Sequence, residues 1–180
     1  LQAASDPMAG VQAAGVDAPA SPYYLVQFTG SVQAVWTQQI AALGGQVLGY
    51  VPDNAHVVRM EPPQLEKISR LPSVRWIGPY WPGYKWAPEL AARFNELSTN
   101  SNLIEVYVLA FAGEPASAVE TFLRAQGATI QSMAEPASGP VFRITTPAHS
   151  LAAITQNPAV SWVERYREPT LLNDEARKIM

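Results

Sequence analysis

The chain has 180 residues, 48% of them hydrophobic and 15% charged, with a formal net charge of −3 and no cysteine. That length admits one medium domain or two small ones of roughly 80 residues each. No basic face of the kind that tracks phosphates is visible, which argues against nucleic acid, and the missing cysteines exclude disulfides, thiol nucleophiles and cysteine metal sites.

The opening stretch, LQAASDPMAGVQAAGVDAPAS, is rich in Ala, Gly and Pro and has no hydrophobic period. It reads as a flexible leader over 1–21. From Tyr23, YYLVQF has the composition of a strand. Gly30-Ser31 ends it and offers Ser31 as a helix N-cap. Val32, Trp36, Ile40 and Leu43 then recur at helical spacing, and Gly44-Gly45 closes that helix. QVLGYV and HVVRM read as two strands joined by PDNA, where Asp53 and Asn54 suit a turn. Pro62 or Pro63 opens a second helix with Leu65 and Ile68 facing inward, Pro72 stops it, and VRWIGPY is the last strand of the unit.

The order β-α-β-β-α-β then recurs. LIEVYVLAF (Leu103 to Phe111) is a strand, and Gly113 to Gly127 carries a helix with Val119, Phe122 and Leu123 on one face. ATIQSMA and VFRITT form a hairpin, Pro147 opens the second helix, Leu151 and Ile154 face inward, and VSWVERY closes the unit. LPSVRWIGPYWP and NPAVSWVERYRE share Pro, Val, Trp and Tyr at a common offset of 86 residues. Gly127 matches Gly45 and Arg143 matches Arg59 at slightly smaller offsets, as expected where loops absorb insertions. The expected fold class is α+β: two tandem ferredoxin-like βαββαβ sandwiches, each a four-stranded antiparallel sheet with two helices on one face. The units span 22–80 and 102–167, joined by an aromatic linker, 81–101, with a short helix near Glu89 to Leu97 and a polar hinge at Ser98 to Asn102. A tail, 168–180, follows. One layer of helices leaves one face of each sheet open, to be soluble or to be covered by a partner.

Catalytic signals are sparse. His56 and His149 occupy non-equivalent places without cysteine or an acidic cluster beside them, so no metal site is expected. Glycine-rich phosphate loops and nucleophile-elbow motifs do not occur. Asp53 and Glu61 are explained by a turn and a helix start. Trp76 and Trp162, at matched positions in strands, are expected in the core. No catalytic residue, cofactor or membrane segment is expected.

With these residues in view, YYLVQFTG, ALGGQVLGYVPDNAHVVRM and LEKISRLPSVRWIGPY resemble the propeptide of secreted subtilisin-like serine proteases. The shared motifs are a Y-h-V-x-F strand at Tyr24 to Phe28, the Gly44-Gly45 helix end and the P-x-V-x-h-h strand at Pro72 to Ile77. The second unit resembles it more weakly, through Ala125 to Ala128 and Pro158 to Val163. The resemblance implies an intramolecular chaperone and inhibitor whose partner is a subtilisin-like catalytic domain, and it implies secretion. It places Arg177, Lys178, Ile179 and Met180 in the protease cleft as a cleaved product, and Glu164 as a cap on a protease helix. Arg165 and Tyr166 depart from the acidic residues the family often has next. The alternative is a tandem ACT-like small-molecule regulatory module, which shares the same element order, with the FTG and FAGEP stretches at its first loops. An RNA-recognition module would need exposed aromatics with basic flanks, and HVVRM and VFRIT offer one arginine each.

Overall fold

The structure is a computed structural model and describes residues 21–168. The first unit runs β1 (Tyr23–Phe28), α1 (Ala34–Ala42), β2 (Gln46–Val51), β3 (Ala55–Arg59), α2 (Pro62–Ser69) and β4 (Val74–Pro79). The linker forms a 3-10 turn (Pro82–Lys85) and two one-turn helices, α3 (Pro88–Ala91) and α4 (Phe94–Leu97). The second unit runs β5 (Leu103–Ala110), α5 (Ala116–Ala125), β6 (Thr129–Ala134), β7 (Val141–Pro147), α6 (Ser150–Gln156) and β8 (Val160–Arg165). The sheets have the orders β2-β3-β1-β4 and β6-β7-β5-β8, with every pairing antiparallel.

Alternation of side chains divides each strand between two faces. In the first unit Val26, Phe28 and Val58 join Ile40 of α1 and Ile68 of α2 in one buried cluster, and Trp36, Leu43, Val32 and Leu65 pack on it. The helical spacing of those residues is thus used as the sequence implies. The helix itself starts later than expected: Gln33, not Ser31, holds the N-cap position, and no side chain caps it. Gly44 has φ +90, the left-handed conformation that ends a helix cheaply in glycine. Gly45 has a different reason: a Cβ there would lie 2.7 Å from Ile40 Cγ2 and 2.9 Å from Ile68 Cδ1. Asp53 and Asn54 take φ 66 and 61 in the β2–β3 turn, a conformation their short polar side chains tolerate.

The second core is larger. Val106, Val108, Phe142, Ile144, Val160 and Val163 from the sheet meet Val119, Leu123, Leu151 and Ile154 from α5 and α6. Trp86, Leu90 and Leu97 of the linker belong to the same cluster. Trp86 forms a parallel bridge with Val163, and the Ala87 N–H donates to the Val163 carbonyl at 2.9 Å. The linker therefore lies along the β8 edge of the second sheet and completes its core. The expected hinge at Ser98 to Asn102 is tied down: the His149 and Ala148 N–H groups donate to the Asn100 and Asn102 carbonyls. Pro147 ends β7 instead of opening the next helix, which starts at Ser150 after an N-cap at His149.

The pairing register corrects one sequence equivalence. Strands β1 and β5 carry a register shift against their partners at Gln27/Phe28 and at Leu109/Ala110. A second shift falls at Val47/Gly49 and at Ile130/Ser132. Aligning these irregularities makes Tyr23 equivalent to Glu105, Leu25 to Tyr107, Val57 to Arg143 and Tyr80 to Tyr166. Arg59, which pairs with Tyr23, then corresponds to Thr145, which pairs with Glu105; it does not correspond to Arg143. The longer EPASGP connection in the second hairpin absorbs the difference, because a loop can lengthen without disturbing a ladder.

Candidate functional site

The helix-free faces of the two sheets differ. In the first unit that face presents Tyr23, Leu25, Val57 and Tyr80, and it is occupied from within the chain. Phe111, just beyond β5, is buried in a cluster with Tyr23 and Val57, with Leu25, Leu48, Val51 and Tyr80 packed around it. The Phe111 and Tyr23 rings stack with centroids 3.8 Å apart, and Tyr80 meets Phe111 edge-on at 5.6 Å. The Tyr23 hydroxyl donates to the Glu114 carboxylate, and the Tyr80 hydroxyl donates to the Ser161 carbonyl at 3.3 Å. Burial, then the bond to Glu114, pushes the Tyr23 pKa up. Burial pushes that of Tyr80 up to about 12.

In the second unit the equivalent face carries Glu105, Tyr107, Arg143 and Tyr166, joined by Trp162 and Glu164. All six are half-buried, and α5 and α6 pack on the opposite face. The residues are ordered by one another. Arg143 Nε donates to Glu105 Oε1 at 2.6 Å, and its guanidinium lies 3.7 Å over the Tyr166 ring. Tyr107 meets Tyr166 edge-on at 5.5 Å, and Trp162 Nε1 donates to Glu164 Oε2 at 3.2 Å. The bond to Glu105 pushes the Arg143 pKa up, so this group is a fixed cation. Tyr, Trp and Arg presented in this half-buried, pre-ordered way are the side chains that supply most of the energy at protein interfaces. Nothing in the group has the geometry of a nucleophile beside a base.

Glu164, expected to cap a partner helix, is on this face, with one carboxylate oxygen engaged by Trp162. Arg177, Lys178, Ile179 and Met180 lie outside the described residues. His56 and His149 fall in different units; His56 Nδ1 is 3.0 Å from the Gly49 carbonyl and His149 is exposed. Among the described residues no group of three or more His, Cys, Asp or Glu could hold a metal ion, and no helix is long and apolar enough to cross a membrane. Glu61 is the N-cap residue of α2, its N–H donating to Gln64 Oε1 at 2.7 Å.

The expectation that Trp76 is core is wrong. It is 41% exposed on the helix-free side, where its indole lies over Gly78; a Cβ there would meet the ring at 2.2 Å. Trp162, its counterpart, is likewise not core: it is half-buried on the helix-free face, with Glu164 in the place of that glycine. Sequence reasoning also passed over Glu105 and Tyr107, and took Arg143 only as a repeat match and a possible nucleic-acid contact. The signal was present: polar residues alternate with Val106, Val108, Phe142 and Ile144, which marks a face that must meet water or a partner. A buried cation, Lys85, is the other residue missed. Only 2% exposed, it donates from Nζ to the Asn157 carbonyl at 2.7 Å, and burial pushes its pKa down to about 8.

A family model described as a domain of unknown function (DUF8729) matches residues 2–81. That match covers the first unit. No curated protein matches the chain. Among solved structures, the small subunit of acetolactate synthase from Thermotoga maritima is similar at 14% identity, over 79% of this chain and 92% of that one, with a TM-score of 0.27.

Proposed function

We propose that this chain is a non-catalytic prosegment module that docks on, and inhibits, a subtilisin-like serine protease. The observation that carries the reading is the open helix-free face of the second sheet, with Arg143, Tyr107, Tyr166 and Trp162 pre-ordered and no helix of the unit against it. The sequence resemblance supports it: Tyr24 to Phe28 lies on β1, Gly44-Gly45 ends α1, and Pro72 to Ile77 leads into β4. In this reading the second sheet docks on the catalytic domain, residues 177–180 enter its cleft, and the protein acts outside the cell. Main-chain pairing of the extended tail would supply affinity, and its alternate side chains selectivity.

The test is slow, tight inhibition of subtilisin-type proteases by the full chain and by a chain lacking Lys178 to Met180. Inhibition that weakens at least tenfold on truncation is expected. Equal potency of both chains would remove the tail from the mechanism, and no inhibition by the full chain would overturn the reading.

A second reading, a tandem ACT-like regulatory module, is favoured by one observation: the two units meet through the first loop of the second, the FAGEP stretch. It requires a ligand at that seam, where Phe111 and Glu114 are already engaged by Tyr23. Titration calorimetry with amino acids separates the two, since saturable heat without any protease supports the regulator.

A further inference from the structure

We infer that the first unit is a built-in partner of the second: its helix-free sheet face is an intramolecular docking surface whose occupant is the 111–114 loop between β5 and α5. Three independent features carry this. The face is filled, because Phe111 is buried against Tyr23 and Val57 and ringed by Leu25, Leu48, Val51 and Tyr80. The contact is directional, because the Tyr23 hydroxyl reaches Glu114 and the Tyr80 hydroxyl reaches the Ser161 carbonyl, both across the seam. The chemistry of the two faces has diverged at the positions around the plug, although Gln27 and Arg59 of the first face stand where the second has Leu109 and Thr145. Tyr23, Leu25 and Val57 stand where the second unit has Glu105, Tyr107 and Arg143. An apolar set suits a covered surface, and an ion pair among aromatics suits one that meets water or a separate partner.

The seam also fixes the loop from which α5 springs. The Phe111 N–H donates to the Ala159 carbonyl and the Glu114 N–H to the Phe111 carbonyl, so the ring that plugs the first sheet sits on backbone anchored to the second. A displacement of the first unit is therefore transmitted to the β5–α5 loop and to the start of β8. Two units of like topology thus offer one free docking face, not two. This inference concerns the chain by itself and stands or falls independently of the protease reading.

The experiment uses the full chain without any partner. Tyr23→Leu, Phe111→Leu and the double variant are compared by equilibrium unfolding and by amide hydrogen exchange, with Tyr23→Phe removing the hydroxyl alone. Leucine keeps the seam apolar, so folding is retained. The single variants should be non-additive, by a factor of roughly 2 to 10 in the unfolding equilibrium, as for stacked aromatic partners. Tyr23→Leu, a change in the first unit, should speed exchange of the Phe111 and Glu114 amides in the second. Tyr23→Phe should speed that of Glu114 without disturbing the Tyr23–Phe111 stack. Additive single variants, or loop exchange that ignores Tyr23→Leu, would overturn the inference.

Discussion

Lys85 gives the sharpest test of the packing. Its ammonium is buried between the linker turn and α6, with one backbone carbonyl as partner, and its pKa is lowered from 10.5 to about 8. Below pH 8 the group is charged in both native and unfolded chains, and the native state bears the full desolvation penalty. Between pH 8 and 10.5 the unfolded chain binds more protons than the native one, so stability rises with pH. For a shift of that size the gain from pH 7 to pH 10 is about 2.5 kcal/mol. Tyr80, raised to about 12, and Tyr23, raised further, have the opposite sign. Their contribution is present below pH 10 and is lost as pH climbs above it, because the unfolded phenols ionise first. Urea unfolding from pH 7 to 11 should therefore show stability rising to a maximum near pH 10 and then falling. Lys85→Met should flatten the rising limb and leave the falling limb. Since that change also strips the Asn157 carbonyl of its donor, at about 1–3 kcal/mol, the pH slope and not the absolute stability is the readout. A wild-type profile flat from pH 7.5 to 10 would refute the burial of this cation.

Further outcomes follow from the same geometry. Gly45→Ala pushes a methyl into Ile40, Ile68 and Val58 and should cost about 1–3 kcal/mol by thermal unfolding. Phe142→Ala, in the larger core and fully buried, should cost about 3–5 kcal/mol, whereas Trp76→Ala on the exposed side should cost much less. Light scattering of a complex with a subtilisin-type catalytic domain should give one catalytic domain per chain, because the first sheet face is already occupied; two would contradict that.

Much of the fold is legible in the sequence because its signals are local. The 3- and 4-residue spacing of Val32, Trp36, Ile40 and Leu43, the glycine pair after them and the Asp53-Asn54 turn each act within a few residues. The same holds for the alternating strands of the second unit. Most of what was not legible depends on distant partners. Nothing near Phe111 announces that its ring stacks on Tyr23, nearly ninety positions earlier in the chain. The aromatic character of Trp86 implies packing on a domain, but that the edge is β8, and that Leu90 and Leu97 join the same core, shows only in the fold. Trp76 looks like core until Gly78, two residues on and on the same side of the strand, leaves room for its ring to lie on the surface. The equivalence of Arg59 and Arg143 failed because identical letters outweighed hairpin length, which only the ladder register resolves.

In the proposed function the helix-free face of the second sheet, and not that of the first, engages a protease. Inhibition constants for Tyr107→Ala and Arg143→Ala chains, set beside a Gln39→Ala control on the opposite side of the first unit, test it most directly. Each face variant should weaken inhibition about tenfold or more, as central interface residues do, with the control unchanged. Equal inhibition by all three, with folding intact, would contradict it.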